Sequence, residues 1–215
     1  MKDIYIFSAG PGGRDLYQLI NDINKIKKTW NVLAYVDNDE KLQQGRIDGL
    51  KVLKPENLDC QDNQSSYGVC GILDPHLRMK IINNEIVANG IKIPSLIHPK
   101  SVIASDFIPN DGLIVFSGVN ISYNVKIDRY VLISFGSLVG HDCSIGKYSS
   151  LLPASIMDGQ CKLGESSILG SGAMLHPGVT VGSNSIVGMG TVVLDDVQDE
   201  ITVTQMPRMI KLKNK

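Results

Sequence analysis

The sequence predicts a small Rossmann-like α/β domain followed by a parallel β-helix built from hexapeptide repeats. Three observations carry this. Strand and helix signals alternate over residues 1–95, an aliphatic residue or Met returns at sixteen of seventeen positions spaced by six from Ile97 to Val193, and a small or β-branched residue stands four places after most of these anchors.

The α/β part reads in order. Residues 4–7, Ile-Tyr-Ile-Phe, form a short apolar strand, and Ser8-Ala9-Gly10-Pro11-Gly12-Gly13 is a loop leading into a helix with Leu16, Leu19, Ile20 and Ile23 on one face. Residues 32–36 are a second strand, ending at Asp37-Asn38-Asp39. Residues 69–73 are a third, and residues 75–89 a second helix with Leu77, Ile81, Ile82 and Ile86 on one face.

The repeat runs Ile97, Ile103, Pro109, Val115, Ile121, Ile127, Ile133, Val139, Ile145, Leu151, Met157, Leu163, Leu169, Leu175, Val181, Val187, Val193. Sixteen of these seventeen positions are aliphatic or Met, without one insertion. The small positions include Ser137, Cys143, Ser149, Ser155, Ser167, Ala173 and Ser185. One large and one small inward residue per hexad suit a narrow triangular prism with eighteen residues per coil. The open coil ends need cover, because a bare sheet edge is a template for further pairing.

The 215 residues carry 21 basic and 22 acidic side chains, a formal charge of -1, so the balance favours neither nucleic acid nor an anionic membrane as partner. The apolar runs fall short of the roughly 18 residues a membrane span needs, and the chain starts directly on a strand, so a cytoplasmic location is expected. Cys60, Cys70, Cys143 and Cys161 form no CxxC pair and have no histidine at zinc spacing. They read as free buried thiols, with no metal.

Residues two after each anchor fall into three columns down the prism. Arg129, Lys147, Glu165 and Ser183 make a polar edge; Tyr123, His141, Gly159, Pro177 and Asp195 make a second column; Phe135, Pro153, Ser171 and Met189 make a third. The last two are mostly uncharged and are expected at subunit contacts, in a homotrimer of parallel prisms. His141 is the acid–base group of the second column, with Asp142 beside it.

Val139-Gly140-His141-Asp142-Cys143-Ser144-Ile145-Gly146, set in pairs such as Leu163-Gly164 and Val181-Gly182, resembles the hexapeptide acyltransferases, and in particular the bacterial nucleotide-amino-sugar N-acetyltransferases and sialic-acid-type O-acetyltransferases. The resemblance covers residues 97–197 and implies that the β-helix is left-handed, since periodicity gives no hand and parallel crossovers are normally right-handed. It implies His141 as the general base and Asp142 as its orienting partner. The amine or hydroxyl must lose a proton as it attacks the thioester of acetyl-CoA, and an imidazole is suited to take it. Gly159, one coil above, matches the family's amide donor to the oxyanion. The pantetheine arm is expected along Ser171, Gly172, Met189 and Gly190, and the segment with Pro207 and Arg208 resembles the family's terminal stretch near coenzyme A. Relatives often carry a second histidine near the acetyl group where this chain has Ser150. His98 and His176 are expected to be structural, with His176 the reserve candidate for the base.

The loop Ser8 to Gly13 resembles the family's glycine loop, although Ser8 replaces the first glycine, Gly12 an aromatic or His, and Pro11 removes a donor. It implies that Ser8, Gly10, Pro11, Gly12 and Gly13 hold a phosphate at a helix N-terminus, that Asp37 contacts the base or ribose, and that Gly71, Ile72 and Arg78 belong to a further binding segment. Asp37 could equally serve as a turn cap.

The expected organisation is a nucleotide-sugar-binding domain at 1–95, an acetyltransferase β-helix at 96–197, and a tail at 198–215 near coenzyme A. The expected reaction is N-acetylation of a UDP-linked amino sugar in bacterial surface glycan synthesis. The alternatives are O-acetylation of a sialic-acid-type sugar and a non-catalytic nucleotide-sugar-binding trimer.

Overall fold

The computed structural model describes residues 1–58 and 66–205. It contains an α/β domain and, after it, a left-handed parallel β-helix.

Strand β1 (Lys2–Phe7) leads into helix α1 (Pro11–Ile26) and then β2 (Trp30–Val36). A short helix, α2 (Glu40–Gln43), and two strands that the sequence pattern did not reveal, β3 (Arg46–Ile47) and β4 (Leu50–Leu53), precede β5 (Tyr67–Cys70) and α3 (Pro75–Ile81). The sheet order is β3-β4-β2-β1-β5, parallel except for the β3–β4 pair. The chain therefore turns from one side of β1 to the other between β4 and β5, and a topological switch point lies at the carboxyl ends of β1 and β5, where ligands of open α/β sheets bind.

Helix α1 starts where Pro11 presets φ at N1, and it buries Gly13, Leu16, Leu19 and Ile20. That face meets Leu96, Ile114, Phe116 and Leu132 of the β-helix in one apolar cluster. The two domains thus share a core, and each fully buried Leu or Ile in it contributes about 1.5–3 kcal/mol. The helix expected over residues 75–89 is α-helical only to Ile81. It widens into a π-turn over Ile82–Ile86 and ends in a 3-10 turn. Ile82 and Ile86 are buried as expected, whereas Leu77 is half exposed.

The β-helix is a prism with three parallel sheets. The first face has seven strands, from Leu96–Ile97 to Thr202–Val203; the second has six, from Val102–Ile103 to Val192–Val193; the third has four, from Lys126–Ile127 to Thr180–Val181. Strands stack eighteen residues apart, as in Leu132↔Ile114 and Leu138↔Ile156. Anchors from Val115 to Val193 fill the interior. Buried serines in the small positions satisfy their hydroxyls on the coil above, as in Ser149 to Gly164 O (2.6 Å) and Ser167 to Gly182 O (2.7 Å). Pro109 is the exception to the repeat: no strand forms there, and the loop between Ile103 and Ile114 replaces the third face of the first coil. Beyond Val193 the spacing contracts to sixteen, with Ile186↔Thr202 and Val181↔Val197.

Every residue three after an anchor from Gly112 to Gly190 has positive φ, whether it is a glycine such as Gly136 or Gly172 or a non-glycine such as Asn124, Asp142 or Tyr148. Each corner is therefore turned by one left-handed residue. This corner geometry sets the direction of the side chain before it, and at one corner that side chain is His141.

Candidate active site

His141 stands at the corner between the second and third faces, half exposed. Its Nδ1 lies 2.7 Å from Asp142 Oδ2. Asp142 is the left-handed residue of that corner (φ 59°), which lets its carboxylate fold back toward the preceding imidazole. Its other oxygen accepts from Asn124 Nδ2, one coil below. Asn124 first, and His141 second, hold the Asp142 carboxyl below its usual range. With Nδ1–H donated to a carboxylate, the tautomer assigned by this geometry leaves the Nε2 lone pair free.

The imidazole is held from below by Tyr123, whose ring stacks on it at 5.5 Å and 10°. Above it is Gly159. A Cβ there would sit 2.5 Å from His141 Nε2, and Gly159 is not among the left-handed corner residues. The glycine thus keeps space open at the basic nitrogen rather than serving a turn. Its N–H has no hydrogen-bond partner among the described residues. Sequence reasoning missed the supporting roles of Tyr123 and Asn124, although both stand eighteen residues before His141 and Asp142, one coil down in the same columns.

Ser171, Gly172, Met189 and Gly190 lie at the corner between the first and second faces. Within one chain the second face separates them from His141, so they do not join its site. Gly172 and Gly190 are left-handed, and a Cβ on either would meet nothing within 4 Å, so turn geometry is what requires glycine there. Arg208 and Pro207 lie outside the described residues. Ser150 is fully buried on the first face, donates to Leu73 O and accepts from Arg78, and so belongs to the contact between the domains. His98 is buried, accepts from Lys100 N on Nδ1 and faces Asp22 at 3.3 Å, a structural role; His176 is exposed.

In the α/β domain the loop 8–13 crosses the carboxyl ends of the strands. Ser8 is held at φ 107°, a conformation that favours glycine. Gly12 and Gly71 touch backbone to backbone, since a Cβ on Gly12 would lie 2.2 Å from Gly71 O. Gly10 caps α1 without a side-chain bond, and Pro11 stands at N1, where no N–H is needed. Both oxygens of Asp37 accept loop amides, Ala9 N at 2.8 Å and Asp39 N at 2.9 Å, so the structure uses it as a turn cap. Beside it is a cavity of about 310 Å³, lined by Ser8, Asp37 and Ile72 among others.

The expectation that Arg78 contacts a ligand is overturned. The side chain is 1% exposed and is consumed by protein acceptors: the carbonyls of Ile72, Leu73, Tyr130, Tyr148 and Ser149, and Ser150 Oγ. Burial pushes its guanidinium down to about 10, still protonated at neutral pH.

Among the described residues, no group of three or more His, Cys, Asp or Glu could hold a metal, and no helix is long and apolar enough to cross a membrane. Cys70, Cys143 and Cys161 are free and buried; Cys60 lies outside the described residues.

Residues 160–195 match the bacterial transferase hexapeptide model of six repeats. Over 138 residues the chain is 29% identical to GDP-perosamine N-acetyltransferase from Escherichia coli O157:H7, a match spanning 64% of this chain and 62% of that enzyme's length. A histidine variant of perosamine N-acetyltransferase from Caulobacter crescentus, solved in complex with CoA and GDP-perosamine, superposes with a TM-score of 0.85 at 28% identity, over 99% of this chain and 98% of that one. The acetyltransferase domain of PglB from Neisseria gonorrhoeae FA1090 superposes at 0.84 and 24% identity, over 95% and 97%, and shares the fold.

Proposed function

We infer from a chain that belongs to the hexapeptide-repeat acetyltransferases, in their two-domain form, that its reaction is transfer of acetyl from acetyl-CoA to the amine of a nucleotide-linked sugar. The observation that carries this reading is the His141–Asp142 pair, with its free Nε2 opening onto the gap that Gly159 leaves.

In this reading His141 Nε2 takes the proton of the sugar amine as the nitrogen forms its bond to the thioester carbonyl carbon. The Asp142 carboxylate stabilises the imidazolium. The Gly159 N–H donates to the developing oxyanion. As the C–S bond breaks, the proton passes from the imidazolium to the departing thiolate, giving the N-acetyl sugar and CoA. The transfer is direct, with no acyl-enzyme.

The site is incomplete in one copy. Val102, Leu138, Ile156, Met174 and Val192 form an outward apolar stripe on the second face, joined by Asn120, with Val102 67% and Met174 43% exposed. A homotrimer with this face toward a three-fold axis covers the stripe. It also brings the corner carrying Ser171, Gly172, Met189 and Gly190 of one copy beside the His141 corner of the next, which supports a groove for acetyl-CoA between copies. The α/β domain rests on the first face, so its nucleotide cavity, with the loop from Ser8 to Gly13, would open toward the neighbour's His141.

The relatives named for their substrate act on GDP-perosamine, whereas the sequence alone suggested a uridine nucleotide. The reading common to both is a nucleoside-diphosphate amino sugar. The test follows free thiol when the protein is given acetyl-CoA with GDP- and UDP-linked 4-amino sugars and with sialic acid. Release that needs an amino sugar supports N-acetylation; release only with sialic acid would replace it with O-acetylation; and no release with any acceptor would leave a binding trimer.

A further inference from the structure

The cavity beside Asp37 has a polar edge that the reading so far does not use. Phe7, Val36, Ile72, Leu77 and Ile81 give it apolar walls at the switch point of the sheet, and Glu85 stands at its rim. Glu85 comes from the π-turn over Ile82–Ile86, whose two end isoleucines are buried, so the backbone that carries its carboxylate is anchored on both sides. Such turns are frequent at functional sites. Asn38 Nδ2 donates to Glu85 Oε1 at 3.3 Å and orients it. The neighbouring carboxylate, Asp37, already spends both oxygens on backbone amides, which leaves Glu85 as the acceptor with capacity to spare.

Resting on the nucleotide-sugar reading, we propose that Glu85 recognises the nucleotide base and selects guanine. A carboxylate accepts two parallel hydrogen bonds. Guanine presents two adjacent donors, N1–H and the N2 amino group. Uracil has one N–H between two carbonyl oxygens, which would face the carboxylate and Asp37 with lone pairs. Adenine and cytosine each place a ring acceptor beside their amino group. Leu77, half exposed on α3, is then explained: it forms a wall for a flat ring rather than part of the core. Desolvation, followed by the nearby Asp37 charge, holds the Glu85 carboxyl above its ordinary range, as expected of an acceptor whose donors arrive with the ligand.

The experiment is calorimetric binding of GDP, UDP and ADP to the full chain and to its Glu85→Gln and Glu85→Ala variants, with thermal unfolding as the check on folding. GDP should bind the parent at least about tenfold more tightly than UDP, because a site built on paired donors discriminates against a base that lacks them. Glu85→Gln keeps the shape but replaces one acceptor by a donor; it should weaken GDP about ten- to a hundredfold and leave UDP unweakened. Equal binding of GDP and UDP by the parent, or GDP binding within threefold of the parent in a folded Glu85→Gln protein, overturns the assignment while the nucleotide reading stands. Binding of no nucleotide at all overturns both.

Discussion

A Cβ atom added at Gly159 would lie 2.5 Å from Nε2 of His141, the nitrogen that the Asp142 contact at Nδ1 leaves free. The backbone of Gly159 is not left-handed, so an alanine is tolerated by the chain and objected to only by the imidazole. Gly159→Ala should therefore displace the ring, cutting turnover about tenfold to a hundredfold with little change in melting temperature. Thiol-release kinetics beside a thermal melt separate the two effects; a parent-like kcat would show that the gap is not needed.

His141→Ala should lower kcat by about 10² to 10⁴-fold, the usual size of a general-base contribution, with small loss of stability, since a half-exposed corner residue buries little. Asp142→Asn should cost less, because the imidazole remains. Asp142 is a carboxyl lowered by Asn124 and then His141, so its ionised form persists below the usual carboxylate range and is lost only as pH falls through the lowered value. Between pH 6 and 9 it does not titrate, and an acid limb in the rate profile there belongs to another group. Asn124→Ala should raise the Asp142 value without creating a new limb in that window. Turnover of His141→Ala within threefold of the parent would move attention to His176.

Arg78→Leu should be among the most destabilising single changes, by about 3 kcal/mol or more, because it takes away the donor to the Ile72 carbonyl of one domain and to the Tyr130 and Tyr148 carbonyls of the other, in a buried contact. The α/β domain should then melt ahead of the β-helix, as a separate calorimetric transition. Arg78→Lys should recover only part of the loss, since one ammonium cannot span acceptors on several segments. A single parent-like transition in Arg78→Leu would mean that the shared apolar cluster alone joins the domains.

Leu138→Glu combined with Met174→Glu places charge in the middle of the exposed stripe on the second face. Sedimentation should show a trimer for the parent and a monomer for the variant. Activity should fall with assembly, because the proposed acetyl-CoA groove needs two copies. A monomeric parent at micromolar concentration would remove that groove.

The architecture was legible because its cause is local and periodic. A prism with one large inward residue per face writes itself into the chain as an aliphatic residue every sixth position, and the single failure, Pro109, marks the one place in that run where a face is missing. His141 and Asp142 were legible too, being adjacent in sequence and differing from the apolar residues around them. Contacts between coils follow the same arithmetic, so Tyr123 and Asn124 could have been read at eighteen residues' distance.

Contacts between domains obey no period, and only the tertiary structure decided them. Arg78 reads as a ligand-binding cation until the fold surrounds it with carbonyls from residues 130 and 148–149, far along the chain. Glu85 carries no signal of its own in the sequence, and only the widening of the α-helix to a π-turn sets it at the cavity rim. Ser171 and Met189 share a column, yet column membership alone does not say that a whole apolar face divides them from His141. Sequence determined what each side chain could do; the packing of one domain on the other fixed which of them meet.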